Sequence, residues 1–412
     1  MRKHTRITAV AAAATAIAVL AGCSPSGSDT GKDAEIVVGY SGGGVVDTYM
    51  DQIIAAARKA LPDVTITTAV YPTYDDQLNQ LPTQFAAGTA PDVILWDNAA
   101  PIAQYATEGA IVGLDELVAG TDVDLSLYPS ALVDGWTVDG DLVGVPSYLQ
   151  NSGIVYNEQV LAEAGATAKP ATVAELGELA RTVHASTGKP GIVLLDNLFH
   201  LTQYTLVFGG GWGGGDTIDS DENVEALDFL LGLFADGSAA TAQQLGATWD
   251  GEAIANGSAA ASDAGPWYIG FMQTTAPDVP YALEPLPGVS AGEQVVATYG
   301  GGFSVSARSE NQEAAARVIA ELTNAASQQA ILDTGLGYVP AMTEYADAFR
   351  EATPAYAAFT AEVLDQGRSL DYPLQTTEFG NALVEGFQGL VASKATSSRE
   401  LLETLQGKYG NN

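Results

Sequence analysis

A single cysteine, Cys23, occurs in 412 residues. No internal disulfide can form, and no cysteine-based zinc cluster can be built. Histidine is nearly as scarce, at three. No H-E-x-x-H or other paired-histidine spacing occurs, which excludes the common zinc-hydrolase arrangement. No G-x-S-x-G is present, so a nucleophile elbow is missing. Basic residues are few: 16 Lys and Arg stand against 50 Asp and Glu, a formal charge of −34. A surface of that sign repels nucleic acid and anionic lipid headgroups at long range, so neither is expected as a partner. Beyond the amino terminus, no apolar run is long enough to span a bilayer.

What is present begins at that terminus. Arg2, Lys3 and Arg6 make a basic start, and an apolar stretch follows from Ile7 to Ala21, broken by Thr8 and Thr15. At about fifteen residues it is too short and too alanine-rich for a membrane span, but it fits a secretory signal. It ends in Leu20-Ala21-Gly22-Cys23, which resembles a bacterial lipobox. That resemblance implies cleavage before Cys23 and acylation of the cysteine. Residues 1–22 are therefore expected as a signal peptide and 23–34 as a lipidated flexible tether. The stretch SPSGSDTGKDA after the cysteine has nothing apolar to bury, and as a random coil it reaches about 18 Å. Loss of the leader makes the formal charge three units more negative than −34. The remaining body exceeds the size at which single cores stop growing, so two lobes are expected.

Along that body, short apolar runs alternate with helical periodicity. Residues 35–40 read as a buried strand, 45–60 as an amphipathic helix closed by Pro62, and 64–70 as an alternating strand. A helix containing Pro82 over 75–87 and a strand over 92–96 follow. Strands separated by helices imply crossovers and a mostly parallel sheet. Asp139-Gly140 reads as a tight turn between two short strands. The alternation resumes with strands over 153–156 and 191–195, and helices over 172–187 and 223–234. Late in the chain, a strand at 303 leads into Ser309-Glu310-Asn311-Gln312, a capping-box pattern, and Ser397 to Glu400 repeats it before the last helix. From 311 to 406 the pattern is almost wholly helical. The expected fold is α/β with a helix-rich carboxyl-terminal part.

Candidate chemistry is sparse. Only His184 and His200 remain after the leader, and His184 reads as an ordinary helical residue. Asp219 to Asn223 mimics a calcium loop but has Val224 where the sharp turn needs glycine, so a capped helix start fits better. Gly209 to Gly214 formally satisfies G-x-G-x-x-G, yet Asp216, Asp219, Asp221 and Glu222 follow at once, where a phosphate site needs bare backbone donors. A flexible loop presenting Trp212 is the better reading. No catalytic residue, metal or cofactor is assigned. Glycoside hydrolysis, which needs only two well-placed carboxylates, stays open as an alternative, as does a surface adhesion module.

Aromatic-plus-amide clusters at strand ends stand out instead: Trp96-Asp97-Asn98, Tyr148-Leu149-Gln150-Asn151, and Pro266-Trp267-Tyr268. In open α/β sheets, ligands bind beyond the carboxyl ends of strands. A sugar offers apolar C–H faces to flat aromatics and hydroxyls to carboxylates and amides. Tyr40-Ser41-Gly42 and Gly300-Gly301-Gly302 add places where backbone can approach a ligand.

Several stretches, in order, resemble the family 1 extracellular solute-binding proteins of ABC importers, the group that includes maltose-binding protein. They are FAAGTAPDVILWDN (85–98), DGDLVGVPSYLQNSGIVYN (139–157), GPW (265–267), TYGGGFSVSARSENQEAAARVIAEL (298–322) and GYVPA (337–341). The resemblance implies two lobes that close over a solute: 35–148 plus 299–336, and 149–298 plus 337–412. It further implies a small-molecule solute, a carbohydrate, handed by a monomer to an ABC permease. The protein would sit on the outer face of the cell membrane, anchored at Cys23. The expected ligand-binding residues are Tyr40, Ser41, Trp96, Asp97, Asn98, Gln150, Asn151, Trp212, Trp267, Tyr268, Gly301 and Gly302.

Overall fold

The computed structural model describes residues 34–335, 337–364, 366–392 and 396–411. The expected leader, Cys23 and the tether as far as Asp33 lie outside the described residues. Eleven strands build the two main sheets: β1 (Ala34–Ser41), β2 (Val64–Tyr71), β3 (Val93–Trp96), β4 (Val145–Asn151), β5 (Gly153–Asn157), β6 (Ile192–Leu194), β7 (Ala239–Thr241), β8 (Ala261–Ala264), β9 (Tyr281–Glu284), β10 (Thr298–Val305) and β11 (Val339–Pro340). The helices that matter for the site are α1 (Gly44–Ala60), α2 (Tyr74–Ala87), α3 (Leu198–Val207), α4 (Asp221–Asp236), α5 (Asp250–Ala255), α6 (Trp267–Thr275), α7 (Gln312–Thr323), α8 (Thr376–Ala392) and α9 (Ser398–Tyr409).

The first sheet runs β11-β4-β10-β3-β1-β2 and the second β9-β5-β8-β6-β7. Each is the centre of one lobe of a two-lobed α/β fold. Strand–helix alternation gives parallel pairs where it holds, β2–β1–β3 in one sheet and β7–β6–β8 in the other. The remaining pairs run antiparallel, so both sheets are mixed rather than mostly parallel. β1 and β3 are buried on both faces, which is why Glu35-IVVGY and VILW read as nearly continuous apolar runs. Around them, Ile36, Val38, Ile53, Leu95, Ile319 and Leu322 form one core. In the second lobe, Ile154, Val183, Ile192 and Leu233 form another.

β4 and β10 connect the lobes. They pair from Thr298↔Asn151 to Gly301↔Tyr148, and the register shifts between Gly301 and Gly302. Where they leave the first sheet, the Ser152 N–H donates to the Ala297 carbonyl at 2.9 Å and the Ala297 N–H to Ser152 Oγ at 2.7 Å. Beyond the sheet the two crossing segments thus stay bonded to each other in both directions.

Two local expectations change and one holds. Ser309 does not cap α7: the helix begins after Asn311 with no side-chain cap bond, and Ser309 Oγ instead accepts from the Asn311 N–H. The box before α9 is real, with Ser397 and Glu400 bonding reciprocally. The glycine-rich segment after α3 is not a loop displaying Trp212. Asn223, in the first turn of α4, donates to the Gly211 and Thr217 carbonyls and accepts from the Gly211 N–H, folding the segment onto the helix. Among the described residues no helix is long and apolar enough to cross a membrane.

Candidate functional site

β1 and β3 are parallel neighbours, so their carboxyl ends, Ser41 and Asp97, emerge side by side. β10 runs antiparallel between β3 and β4, which carries Tyr148 to the same edge. Ser41 Oγ donates to the Asp97 carboxylate at 3.1 and 3.2 Å, and the Tyr148 hydroxyl donates at 3.1 Å. Burial pushes the Asp97 carboxyl up to about 6; the Ser41 and Tyr148 bonds pull it down and the nearby Asp75 charge adds to the rise. Gln150, two residues on from Tyr148, is buried, and its Oε1 has no hydrogen-bond partner among the described residues. A buried acceptor without a donor is unfavourable by about 1–3 kcal/mol, but Gln150 is not among the residues lining either cavity described below.

Between the lobes lies a cavity of about 450 Å³, within the range of small-molecule sites. The first lobe contributes Tyr74 and Asp75 at the start of α2, where Thr73 caps the helix, and Asn98 after β3. The second contributes Phe199, Tyr372 and the start of α8. Thr376 Oγ1 donates to the Ala100 carbonyl across the gap at 3.3 Å, so the lobes touch directly. Phe199 packs edge-on against Trp267, ring centres 5.8 Å apart, and against Tyr299 of β10 at 5.2 Å. Both walls therefore combine aromatics with carboxylates and amides: Tyr74, Asp75 and Asn98 on one side, Phe199, Tyr372, Asp196 and Asn381 on the other. A second cavity of about 890 Å³ is lined by Leu132, Leu149 and Asn151 and meets the first at Asn98 and Tyr372.

The expected contact residues divide accordingly. Asn98 lines the first cavity, and Asp97 adjoins it in the chain with Ser41 bonded to its carboxylate. Trp267 packs on Phe199 of the same wall. Asn151 lines the second cavity and is already engaged, donating to Thr298 Oγ1 at 3.1 Å and accepting from the Tyr356 hydroxyl. Trp96 is fully buried, its indole N–H donating to Ser304 Oγ at 2.6 Å and its ring packed on Tyr105. Trp212 is sealed between α3 and α8, donating to Thr202 Oγ1 at 2.8 Å and packing on Phe379. Tyr268 points inward to Asp250. Tyr40 lies in the first core, with Asp47 and Asp51 of α1 near its hydroxyl.

Gly301 and Gly302 serve packing rather than ligand approach. A methyl group at Gly301 would collide with the Tyr148 ring, and one at Gly302 with Trp136. Sequence reasoning missed Tyr74, Asp75, Phe199 and Tyr372. Phe199 carried a usable signal, since it sits just inside a helix capped by Asn197 that follows a buried strand. Tyr372 lies in irregular chain before α8, where no periodicity marks it.

Residues 52–361 match the family model described as bacterial extracellular solute-binding protein. The galactooligosaccharide-binding protein of Bacillus subtilis (strain 168) is 26% identical over 326 residues, covering 74% of this chain and 73% of its own length. The arabinooligosaccharide-binding protein of Halalkalibacterium halodurans is 25% identical over 358 residues, 82% of this chain and 79% of that one. Among solved structures, an ABC substrate-binding protein from Listeria monocytogenes in complex with cycloalternan superimposes with a TM-score of 0.81 at 21% identity, covering 92% of this chain and 98% of that one.

Proposed function

The chain belongs to the bacterial extracellular solute-binding proteins, and from that premise we propose that it captures an oligosaccharide in the cavity between its lobes for an ABC importer. The observation that carries this reading is the composition of the wall. Phe199 and Tyr372 line it and offer flat faces for sugar rings, with Trp267 packed behind Phe199, while Asp75 and Asn98 offer acceptors for hydroxyls. The names of the two curated relatives support an oligosaccharide over other polar solutes.

Binding needs no chemistry. A ligand that touches both walls favours the closed arrangement by its differential contacts, bending the chain where β4 and β10 cross. The lobes are taken as 35–148 plus 299–336, and 149–298 plus 337–412, working as a monomer and presenting the closed form to a membrane permease. Cys23, acylated after cleavage of residues 1–22, holds the body near that permease. Labelled palmitate should enter the wild-type protein and not Cys23→Ala.

The deciding experiment is a thermal-shift and calorimetric screen over galacto-, arabino-, malto- and manno-oligosaccharides of two to four units. Saturable, stoichiometric binding that raises Tm and leaves the sugar intact is expected. Release of shorter products would favour a glycosidase, and no binding across the panel would sink the carbohydrate reading.

A further inference from the structure

Phe199 lines the cavity from α3, and Trp267 of α6 packs edge-on against it, but that single contact does not by itself fix the two elements together. Beneath them lies a buried charge cluster. His200, next to Phe199, places Nδ1 2.6 Å from Asp263 Oδ2. Asp263 sits on β8, the strand that runs through Gly265-Pro266 into Trp267. Asp250 of α5 joins from behind: its Oδ2 accepts from Ser262 Oγ at 2.6 Å and from the Tyr268 hydroxyl. The groups facing His200 are thus Asp263 and Asp250 within the lobe, Asp196 on the approach to α3, and Asp75 on the opposite wall. The Tyr204 and Tyr268 hydroxyls complete the cluster, both kept neutral by burial.

An imidazolium in the first turn of a helix is opposed by the helix dipole, and burial opposes it again. Burial lowers the basicity of His200, but Asp263 and Asp250 outweigh it and raise the group to about 9. His200 therefore carries a proton at neutral pH; burial raises the Asp263 carboxyl while His200 pulls it down, and the 2.6 Å contact ties α3 to β8. Losing either partner would leave the other as an uncompensated buried charge.

We propose that His200 is a positioning residue of the ligand cleft, its ion pair with Asp263 clamping α3 to the β8–α6 segment so that Phe199 and Trp267 form one rigid aromatic wall. This rests on the saccharide reading above. His200 touches no ligand and acts only through the two rings.

The test uses the best binder from the oligosaccharide panel, by calorimetry, on the full chain. His200→Gln and Asp263→Asn should each weaken binding about tenfold or more. In a Trp267→Ala background, His200→Gln should weaken it less than about twofold, because the wall it positions is gone. A fluorine label on tryptophan, assigned through Trp267→Phe, should show Trp267 sharpening in the ligand-free His200→Gln protein as the ring gains motion. If the variants fail to fold, the wild-type pH profile decides: affinity should fall as pH rises past about 9 and the imidazolium loses its proton. Unchanged affinity in both variants, independent effects of His200→Gln and Trp267→Ala, or a flat profile between pH 7 and 10 would each overturn the proposal. No binding by any sugar to the wild type would instead count against the saccharide reading, and the fluorine signal would still judge the clamp.

Discussion

Trp96 and Trp267 come from opposite lobes, and each lies at or just after the end of a sheet strand. Trp96 is the last residue of a strand buried on both faces, and its ring has nowhere to go but the core, where Ser304 and Tyr105 hold it. Trp267 follows Gly265 and Pro266 and starts a helix rather than ending a strand. Its ring folds back over Gly265, at a distance no side chain there would tolerate, and stays partly exposed beside Phe199. The same residue type is thus structural on one wall and presented on the other. Residue type and strand-end position do not decide the matter; the conformation of the two residues before it does.

The sharpest way to break this contrast is to delete both rings in turn. Trp96→Ala should destabilise the protein by about 3–5 kcal/mol, the range for removing a large buried aromatic. That corresponds to a drop in Tm of roughly 10 °C in calorimetry. Sugar affinity measured well below that temperature should change little. A variant with native stability but lost affinity would return Trp96 to the binding surface.

Next in size is Asp97→Asn. The carboxylate is the shared acceptor of Ser41 and Tyr148, and a hydrogen bond to a charged group contributes about 1.5–3 kcal/mol. Affinity in calorimetry should fall by that amount, because the neutral amide of the variant cannot accept all the donors that converge there. Trp267→Ala should weaken binding by about 1–3 kcal/mol through lost packing on a sugar face, while Tm shifts far less than in Trp96→Ala. Equal loss of stability in the two tryptophan variants would erase the distinction between them.

The contrast also marks where sequence reasoning stops. Two lobes, the crossing strands and most helices were legible, because buried parallel strands and capped amphipathic helices leave periodic traces. Ser41, Asp97 and Asn98 were legible as strand-end polar residues. Trp96, Trp212 and Tyr268 were not separable from residues at the cavity, since the partners that bury them, Ser304, Thr202 and Asp250, are remote in the chain or on another element. His200 reads as an isolated histidine for the same reason: its meaning comes from Asp263, which only the second sheet brings to 2.6 Å. Gly301 and Gly302 suggested ligand approach, but the space they leave is taken by Tyr148 and Trp136.

The smallest expected effect is also the one that separates binding from folding most cleanly. Asp97 titrates near 6 in the folded protein, above its unfolded value of about 3.9. Between those values the folded form holds a proton that the unfolded chain has released, so this group adds stability at low pH and loses it as pH rises through 6. Binding has the opposite sign, because ligand hydroxyls donate to the ionised carboxylate. From pH 7 to pH 5 the ionised fraction falls about tenfold, and affinity should fall with it, by about 1.4 kcal/mol. Calorimetric titrations at the two pH values, with Asp97→Asn as reference, isolate the group from the other carboxylates. Affinity in the wild type should drop relative to the variant while the wild-type Tm, relative to the same variant, rises. If both quantities fell together, acid loosening of the fold would explain the loss, and Asp97 would have no part in holding the ligand.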